Sequence, residues 1–368
     1  MNDKDYMALA LELAERGAGW TTPNPMVGAV VVKNGAILGR GYHHRCGEAH
    51  AERNALADCT EDPAGATLYV TLEPCCHFGR QPPCVDAILA AGISRVVVGS
   101  GDPNPLVAGK GTARLREGGV VVDEGVLKGP CDRLNEVFFH FIQTGTPFVV
   151  MKYAMTLDGK IASCTGASRW ITGEAARAHV HGLRGRYRAI LAGVGTVLAD
   201  DPLLTCRTEG GRNPVRVICD TRLRTPLTSR VVRTAGEAPT VLATACAAAA
   251  RRAPYERAGC HLLTLPERAG HVDLAALMRA LGGDGIDSVL LEGGGTLNWS
   301  ALEQGVVQKV LAYIAPKLLG GEAAKNPVGG QGFPDPDRAV RLVNSTVTRL
   351  GEDFLIESEV AGSVHGNC

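Results

Sequence analysis

His50-Ala51-Glu52, followed by Glu73-Pro74-Cys75 and Pro82-Pro83-Cys84, brings together one imidazole, two thiols and one spare carboxylate. Three soft or borderline ligands suit Zn²⁺ and leave a fourth position for water, whereas a structural zinc closes that position with a fourth side chain. Glu52, two residues beyond a ligand, can reach such a water without binding the metal. Residues two apart in a helix point in different directions. His50 and Glu52 therefore share a site most easily at a helix start, around which both side chains curl. Cys84 opens a predicted helix over residues 85–91, whose N-terminus favours the thiolate a metal needs. Cys76 is an alternative ligand, although only Cys75 follows Glu-Pro directly.

Working outward, residues 67–71 read as a buried strand leading to Glu73, residues 50–58 as a helix and residues 95–99 as a second buried strand. Upstream, residues 6–16 have helical periodicity ended by Gly17. Residues 26–32 and 36–42 are apolar runs joined by Asn34-Gly35, a hairpin turn. Helices alternating with short buried strands indicate an α/β layered sheet, with the ligands at strand ends and helix starts.

Length and charge narrow the rest. At 368 residues the chain exceeds the ~250–300 at which single cores split, and its 45% hydrophobic residues suffice for two cores. Gln143-Thr144-Gly145-Thr146-Pro147 is the expected link, giving domains 1–145 and 148–368. Lys+Arg and Asp+Glu balance at 38 each. No basic run is visible that could neutralise roughly 6–10 phosphates of a nucleic acid, so a small substrate is expected. The charged start and the lack of a long apolar run argue against a secretory signal or a membrane span. Twelve scattered cysteines do not form a disulfide framework. A cytoplasmic protein is expected, with a frayed tail after Gly362.

Beyond the link the pattern restarts with a strand at 148–153, and further strands are predicted at 188–192, 215–219, 240–243 and 288–291. The last part, with runs at 307–314, 342–350 and 354–359, is strand-rich without clear helices. Gly193-Val194-Gly195-Thr196 and Gly293-Gly294-Gly295-Thr296 both follow buried strands. Glycine there lets backbone N–H groups and a helix start approach a phosphate. Neither completes the dinucleotide fingerprint. Together on one sheet they suggest a dinucleotide across the strand ends.

His-x-Glu followed by Pro-Cys and a further Cys resembles the zinc deaminase signature, with eight residues between the cysteines instead of two. The first half resembles the cytidine-deaminase superfamily. Thr71-Leu72-Glu73-Pro74-Cys75-Cys76-His77-Phe78-Gly79-Arg80-Gln81-Pro82-Pro83-Cys84 and Thr22-Pro23-Asn24-Pro25-Met26-Val27-Gly28-Ala29 are similar to its riboflavin-biosynthesis branch, except at Cys76, where serine is more usual. The second half resembles that branch's partner reductase, whose fold is similar to dihydrofolate reductase. The similarity lies in Thr156-Leu157-Asp158-Gly159-Lys160-Ile161-Ala162, residues 193–202, Leu203-Leu204-Thr205-Cys206-Arg207 and Leu291-Glu292-Gly293-Gly294-Gly295.

The resemblance implies a cytidine-deaminase-like α/β/α domain followed by a dihydrofolate-reductase-like α/β domain. It implies zinc-dependent deamination of a diaminopyrimidine ribose phosphate, then NADPH reduction of the ribosyl chain to a ribityl chain. His50, Cys75 and Cys84 would hold one zinc, with Glu52 as proton carrier. Asn24, His43, His77 and Arg80 are the expected pyrimidine or phosphate contacts. NADPH contacts are expected at Ala154, Trp170, Thr196, Asp200, Thr221 and along Gly294, Gly295, Thr296, Leu297, Asn298, Trp299 and Ser300. Ser168, Arg184, Leu204, Arg207 and Glu292 are expected at the second substrate, with Lys152 and Asp200 handling charge and protons. Arg222 and Arg224 are candidates for the 2′-phosphate. A homo-oligomer is expected.

Overall fold

The computed structural model describes residues 1–79 and 81–362. The expectations for Arg80 and for the tail at 363–368 lie outside the described residues. The chain divides into two compact units, Met1–Thr144 and Gly145–Cys368.

The first unit runs α1 (Asp3–Glu15), β1 (Gly28–Lys33), β2 (Ala36–Tyr42), α2 (Ala51–Ala57), β3 (Thr67–Leu72), α3 (Cys84–Ala90), β4 (Arg95–Ser100), α4 (Lys110–Glu117), β5 (Val121–Glu124), α5 (Lys128–Leu134) and α6 (Glu136–Thr144). Its sheet has the order β2-β1-β3-β4-β5. β1 is antiparallel to β2 and β3, while β3, β4 and β5 are parallel. Both faces are covered, which is why the strands read as continuous apolar runs. Ala29, Val31, Leu68, Val70, Val96 and Val98 pack on α2, α3 and α4. Val30, Val32, Tyr69 and Val97 turn to the other face, against Tyr6, Met7, Ala10 and Leu13 of α1. Each such fully buried aliphatic contributes roughly 1.5–3 kcal/mol.

Helix α1 starts a turn earlier than its apolar pattern. Asn2 accepts from the backbone N–H groups of Lys4 and Asp5, and the Asp5 carboxylate accepts from the Asn2 N–H. This reciprocal cap satisfies donors that the helix itself cannot. Residues 101–142 are assigned no elements from the sequence, yet α4, β5 and α5 lie there and α6 runs from there through Gln143 and Thr144 of the expected link.

The second unit runs β6 (Phe148–Thr156), α7 (Glu174–Arg186), β7 (Ala189–Gly193), α8 (Val194–Asp200), β8 (Val215–Cys219), α9 (Arg230–Arg233), β9 (Thr240–Thr244), α10 (Ala249–Arg257), β10 (His261–Thr264), β11 (Glu267–Arg268), β12 (His271–Val272), α11 (Leu274–Gly283), β13 (Ser288–Leu291), α12 (Gly295–Glu303), β14 (Lys309–Ala315), β15 (Leu342–Leu350) and β16 (Asp353–Val360). The large sheet has the order β10-β9-β8-β7-β13-β6-β14-β16-β15. It is parallel from β10 to β14; β16 and β15 are antiparallel additions. The chain builds outward from β7 to β10, then returns to insert β13 between β7 and β6. Such a reversal opens a crevice at the carboxyl ends of the strands.

Arg216 on β8 is fully buried. Its guanidinium donates to the carbonyls of Leu203 (3.2 Å), Val231 (3.1 Å), Thr234 (2.9 Å) and Ala238 (2.8 Å) and to the hydroxyls of Thr234 and Thr240. A buried cation thus ties the loop carrying Leu204 and Arg207 to the core. Among the described residues, no helix is long and apolar enough to cross a membrane.

Candidate metal centre and ligand cleft

His50 is the N-cap of α2, with extended backbone (φ −76°, ψ 166°), and Glu52 lies in the helix's first turn. Helix α2 sits hard against β2 because Gly41 has no side chain. A Cβ there would lie 2.2 Å from the Ala55 nitrogen. Cys75 follows β3, and Cys84 is the first residue of α3. Three ligand atoms meet: His50 Nδ1 is 3.5 Å from Cys75 Sγ and 3.4 Å from Cys84 Sγ. All three lie within 4.8 Å of one another. Tetrahedral Zn–N and Zn–S bonds of about 2.0 and 2.3 Å set an N···S edge of about 3.6 Å, so the donor set fits zinc. Cys76 is not in this group; its Sγ lies 3.8 Å from the Leu106 carbonyl oxygen.

The electrostatics are those of a site prepared for a cation. The hydrogen bond from Cys84, together with those from His50 and the Cys84 N–H, holds the Cys75 thiol down at about 4. Cys84, bonded to that thiolate and buried, is pushed up. Metal binding requires both sulfurs as thiolates and so releases the proton that Cys84 otherwise keeps. Glu52 is buried, and desolvation followed by the Cys75 thiolate pushes its carboxyl up to about 7. His43 is buried rather than a loop histidine in solvent. Its Nδ1 donates to the Ala49 carbonyl at 3.0 Å, which leaves Nε2 to accept from Asn24 Nδ2 at 3.2 Å. Its ring stands edge-on to His50, with centroids 5.2 Å apart.

In the second unit a cleft of about 1490 Å³ lies at the ends of β6, β7, β8 and β13. Small-molecule pockets span roughly 300–1,000 Å³, and this cleft is larger than that. Nine Lys and Arg side chains line it against three carboxylates, a balance that attracts phosphates. Gly195 and Gly294, in the two glycine corners, face open space, so a phosphate can approach the backbone there. At the floor, Glu292 accepts from Arg184 Nε at 2.7 Å and Nη2 at 2.9 Å, and from Lys152 Nζ at 3.3 Å. Burial pushes the Glu292 carboxyl up, but Lys152 and Arg184 outweigh it and hold it at about 2.

Residues 147–356 match the family described as RibD C-terminal domain, and residues 1–100 the cytidine and deoxycytidylate deaminase zinc-binding region. The riboflavin biosynthesis protein RibD of Actinobacillus pleuropneumoniae is 54% identical over 357 residues, covering 97% of this chain and 95% of its own. The chain belongs to the RibD family. The Escherichia coli member is 44% identical, over 88% of this chain and 90% of its own. The Thermotoga maritima diaminohydroxyphosphoribosylaminopyrimidine deaminase/5-amino-6-(5-phosphoribosylamino)uracil reductase superposes with a TM-score of 0.85. Its identity is 37%, over 98% of this chain and 99% of that one. Acinetobacter baumannii RibD gives 0.86 at 36%, with the same coverage. The fold is accordingly a cytidine-deaminase-like domain followed by the RibD reductase domain.

Against this family frame, most expected cleft residues do line the cleft: Lys152, Ala154, Ser168, Trp170, Arg184, Thr196, Asp200, Leu204, Arg207, Thr221, Arg222, Arg224, Glu292, Gly294, Gly295, Thr296, Leu297 and Ser300. Trp170 is exposed, not core, and Arg177 lies 4.5 Å over its ring. Asn298 and Trp299 are not among the residues that line the cleft. Helix α12 turns about 100° per residue, so a run of consecutive residues cannot all face one side. Asn298 is buried and donates to the Pro327 carbonyl; Trp299 packs edge-on against Phe333. His77 is half-buried, and its Nδ1 has no hydrogen-bond partner among the described residues.

Two groups have no counterpart in the sequence expectations. Arg177, His181, Arg169, Arg230 and Lys325 also line the cleft. Arg177, His181 and Arg184 recur at i, i+4 and i+7 of α7, a polar stripe that was visible as periodicity. In the first unit, burial, then Glu73 and Cys75, push the Asp102 carboxyl up to about 6.

Proposed function

We propose that the chain hydrolytically deaminates a 2,5-diamino-6-ribosylaminopyrimidinone 5′-phosphate in its first unit and reduces the ribosyl chain of the product with NADPH in its second. The observation that carries this is three soft donors at tetrahedral spacing beside the buried carboxyl of Glu52, in a chain that also holds the cationic cleft.

Zinc on His50, Cys75 and Cys84 supplies Lewis acidity that lowers the pKa of a water to about 7. Glu52 accepts a proton from the attacking water at its carboxylate and delivers it to the ring nitrogen, then takes the remaining hydroxyl proton and gives it to the departing amine, which leaves as ammonia. Asn24 and His43, locked to each other, present fixed hydrogen-bond groups to the pyrimidine, with His77 and Arg80 as further contacts.

In the second unit, bound NADPH supplies a hydride. Arg184 and Lys152 hold Glu292 ionised, so its carboxylate accepts from ribose hydroxyls while Lys152 Nζ keeps a proton at the reacting end. Arg207, Ser168 and Leu204 position that substrate. Asp200, paired loosely with Arg169 at 3.8 Å, stands with Ala154, Trp170, Thr196, Thr221 and the start of α12 at the cofactor. Arg222 and Arg224 take its 2′-phosphate.

We further read the chain as a cytoplasmic homo-oligomer. The free thiols of the eleven described cysteines suit a reducing compartment. The exposed edge strand β15 offers unpaired backbone groups to a second copy.

A coupled assay on the diaminopyrimidine ribose phosphate tests the main reading: ammonia should appear first, and NADPH absorbance should fall only after it. Purified protein without stoichiometric zinc, or NADPH consumption that ignores the deaminated product, would refute it.

A further inference from the structure

The residue before Pro74-Cys75 is Glu73, a carboxylate 5% exposed that makes no ion pair among the described residues. It is held by four backbone N–H groups: Gly111 at 2.9 Å, Gly109 at 3.0 Å, Thr112 at 3.2 Å and Asp102 at 3.4 Å. Gly111 and Thr112 are the second and third residues of α4, the donors that an N-cap side chain normally serves. The N-cap of α4 is Gly109, which has no side chain to serve them. Glu73 therefore caps α4 from another element. The seam is closed from the other side as well, since a Cβ on Gly111 would lie 2.1 Å from the Pro74 carbonyl oxygen. The Glu73 N–H donates to Ser100 at the end of β4, and the Cys75 carbonyl accepts from Val85 in α3. The peptide carrying Cys75 Sγ is thus fixed at both ends.

We propose that Glu73 is a positioning residue for the metal centre. Its carboxylate locks the Pro74-Cys75 peptide onto α4, and the lock holds Cys75 Sγ at its ligand spacing to His50 and Cys84. This rests on the zinc reading above. Because all four partners are N–H donors, a carboxamide fails where a carboxylate succeeds, since its NH₂ must face one pair of them.

Glu73→Gln should release zinc to a competing chelator about 10-fold faster or more, the usual scale for groups that orient metal ligands, with NADPH-dependent reduction of the deaminated substrate unchanged. Leu115→Ala, which empties the buried side of α4 instead, is the control. It should lower Tm but leave zinc release within about twofold of wild type. In the unaltered protein, chelating the zinc should speed hydrogen exchange across residues 106–113 and leave α1 unaffected, which keeps the test available if Glu73→Gln does not fold. Zinc release from Glu73→Gln at the wild-type rate, or no faster than from Leu115→Ala, overturns this inference alone. So does unchanged exchange at 106–113. Wild-type protein that binds no zinc overturns the functional reading and this inference with it.

Discussion

Replacing Glu292 by Gln should destabilise the second unit more than any ordinary surface change, and in a pH-dependent way. The carboxylate sits between Arg184 and Lys152, with all three side chains at most 14% exposed. Its pKa is about 2 against an ordinary 4.5, which at 1.36 kcal/mol per pH unit is about 3 kcal/mol of preference for the charged form. Glutamine keeps the shape but leaves two buried cations without a counter-charge, the costly half of a buried ion pair. The sign follows from linkage: a depressed carboxyl stabilises above its unfolded pKa, and the contribution fades as pH falls toward the folded one. The deficit of Glu292→Gln relative to wild type should therefore be about 3 kcal/mol at pH 7. It should narrow by about 1.4 kcal/mol by roughly pH 3.5, where the unfolded chain has taken up its proton. Trp20→Phe leaves only Trp170 and Trp299, both in the second unit, so urea unfolding followed by tryptophan fluorescence reads that unit. Equal stability at pH 7, or a deficit that does not change with pH, would refute the reasoning.

Three further outcomes follow. Glu52→Gln should lower ammonia release by at least the ~10²–10⁴ of one acid–base group while zinc content and NADPH oxidation persist, as metal analysis and the two separate assays would show. Arg207→Ala should raise KM for the reductase substrate and leave deamination untouched; an unchanged KM would remove Arg207 from the substrate site. Arg216→Met should remove the six hydrogen bonds the guanidinium donates and cost about 3 kcal/mol or more, visible as a lowered urea midpoint for the second unit alone.

The metal centre was legible because its chemistry is local. Thirty-odd residues carry all three ligands, each next to a proline or a helix start, and the apolar runs around them declare the strands that aim them. The choice of Cys75 over Cys76 rests on the Glu-Pro before it, and the three-ligand group of the structure contains Cys75. The cleft was less legible. Lys152, Arg184 and Glu292 meet from β6, α7 and the end of β13, and no spacing rule links positions so far apart; resemblance supplied them. Where resemblance gave a continuous block, helix geometry turns the Asn298 and Trp299 side chains inward. Glu73 was invisible for another reason. Its partners are backbone N–H groups of a helix with almost no apolar pattern, so nothing in their side chains marks them.

The two buried carboxylates Glu52 and Glu292 show how one residue type serves opposite tasks. Burial alone pushes any carboxyl up. Glu52 has a thiolate as its strongest charged neighbour, which adds to that push and brings it to about 7, where a group can both take and give a proton. Glu292 has two cations, which reverse the push and leave it at about 2, where it can only accept hydrogen bonds. Zinc, as a cation placed beside Glu52, draws its pKa down from the metal-free value. The Glu52 carboxyl therefore feels two opposing influences, the thiolates and the metal they bind. The proposed role of Glu292, positioning a hydroxyl, needs no such balance, because it requires a constant charge and not a transferable proton.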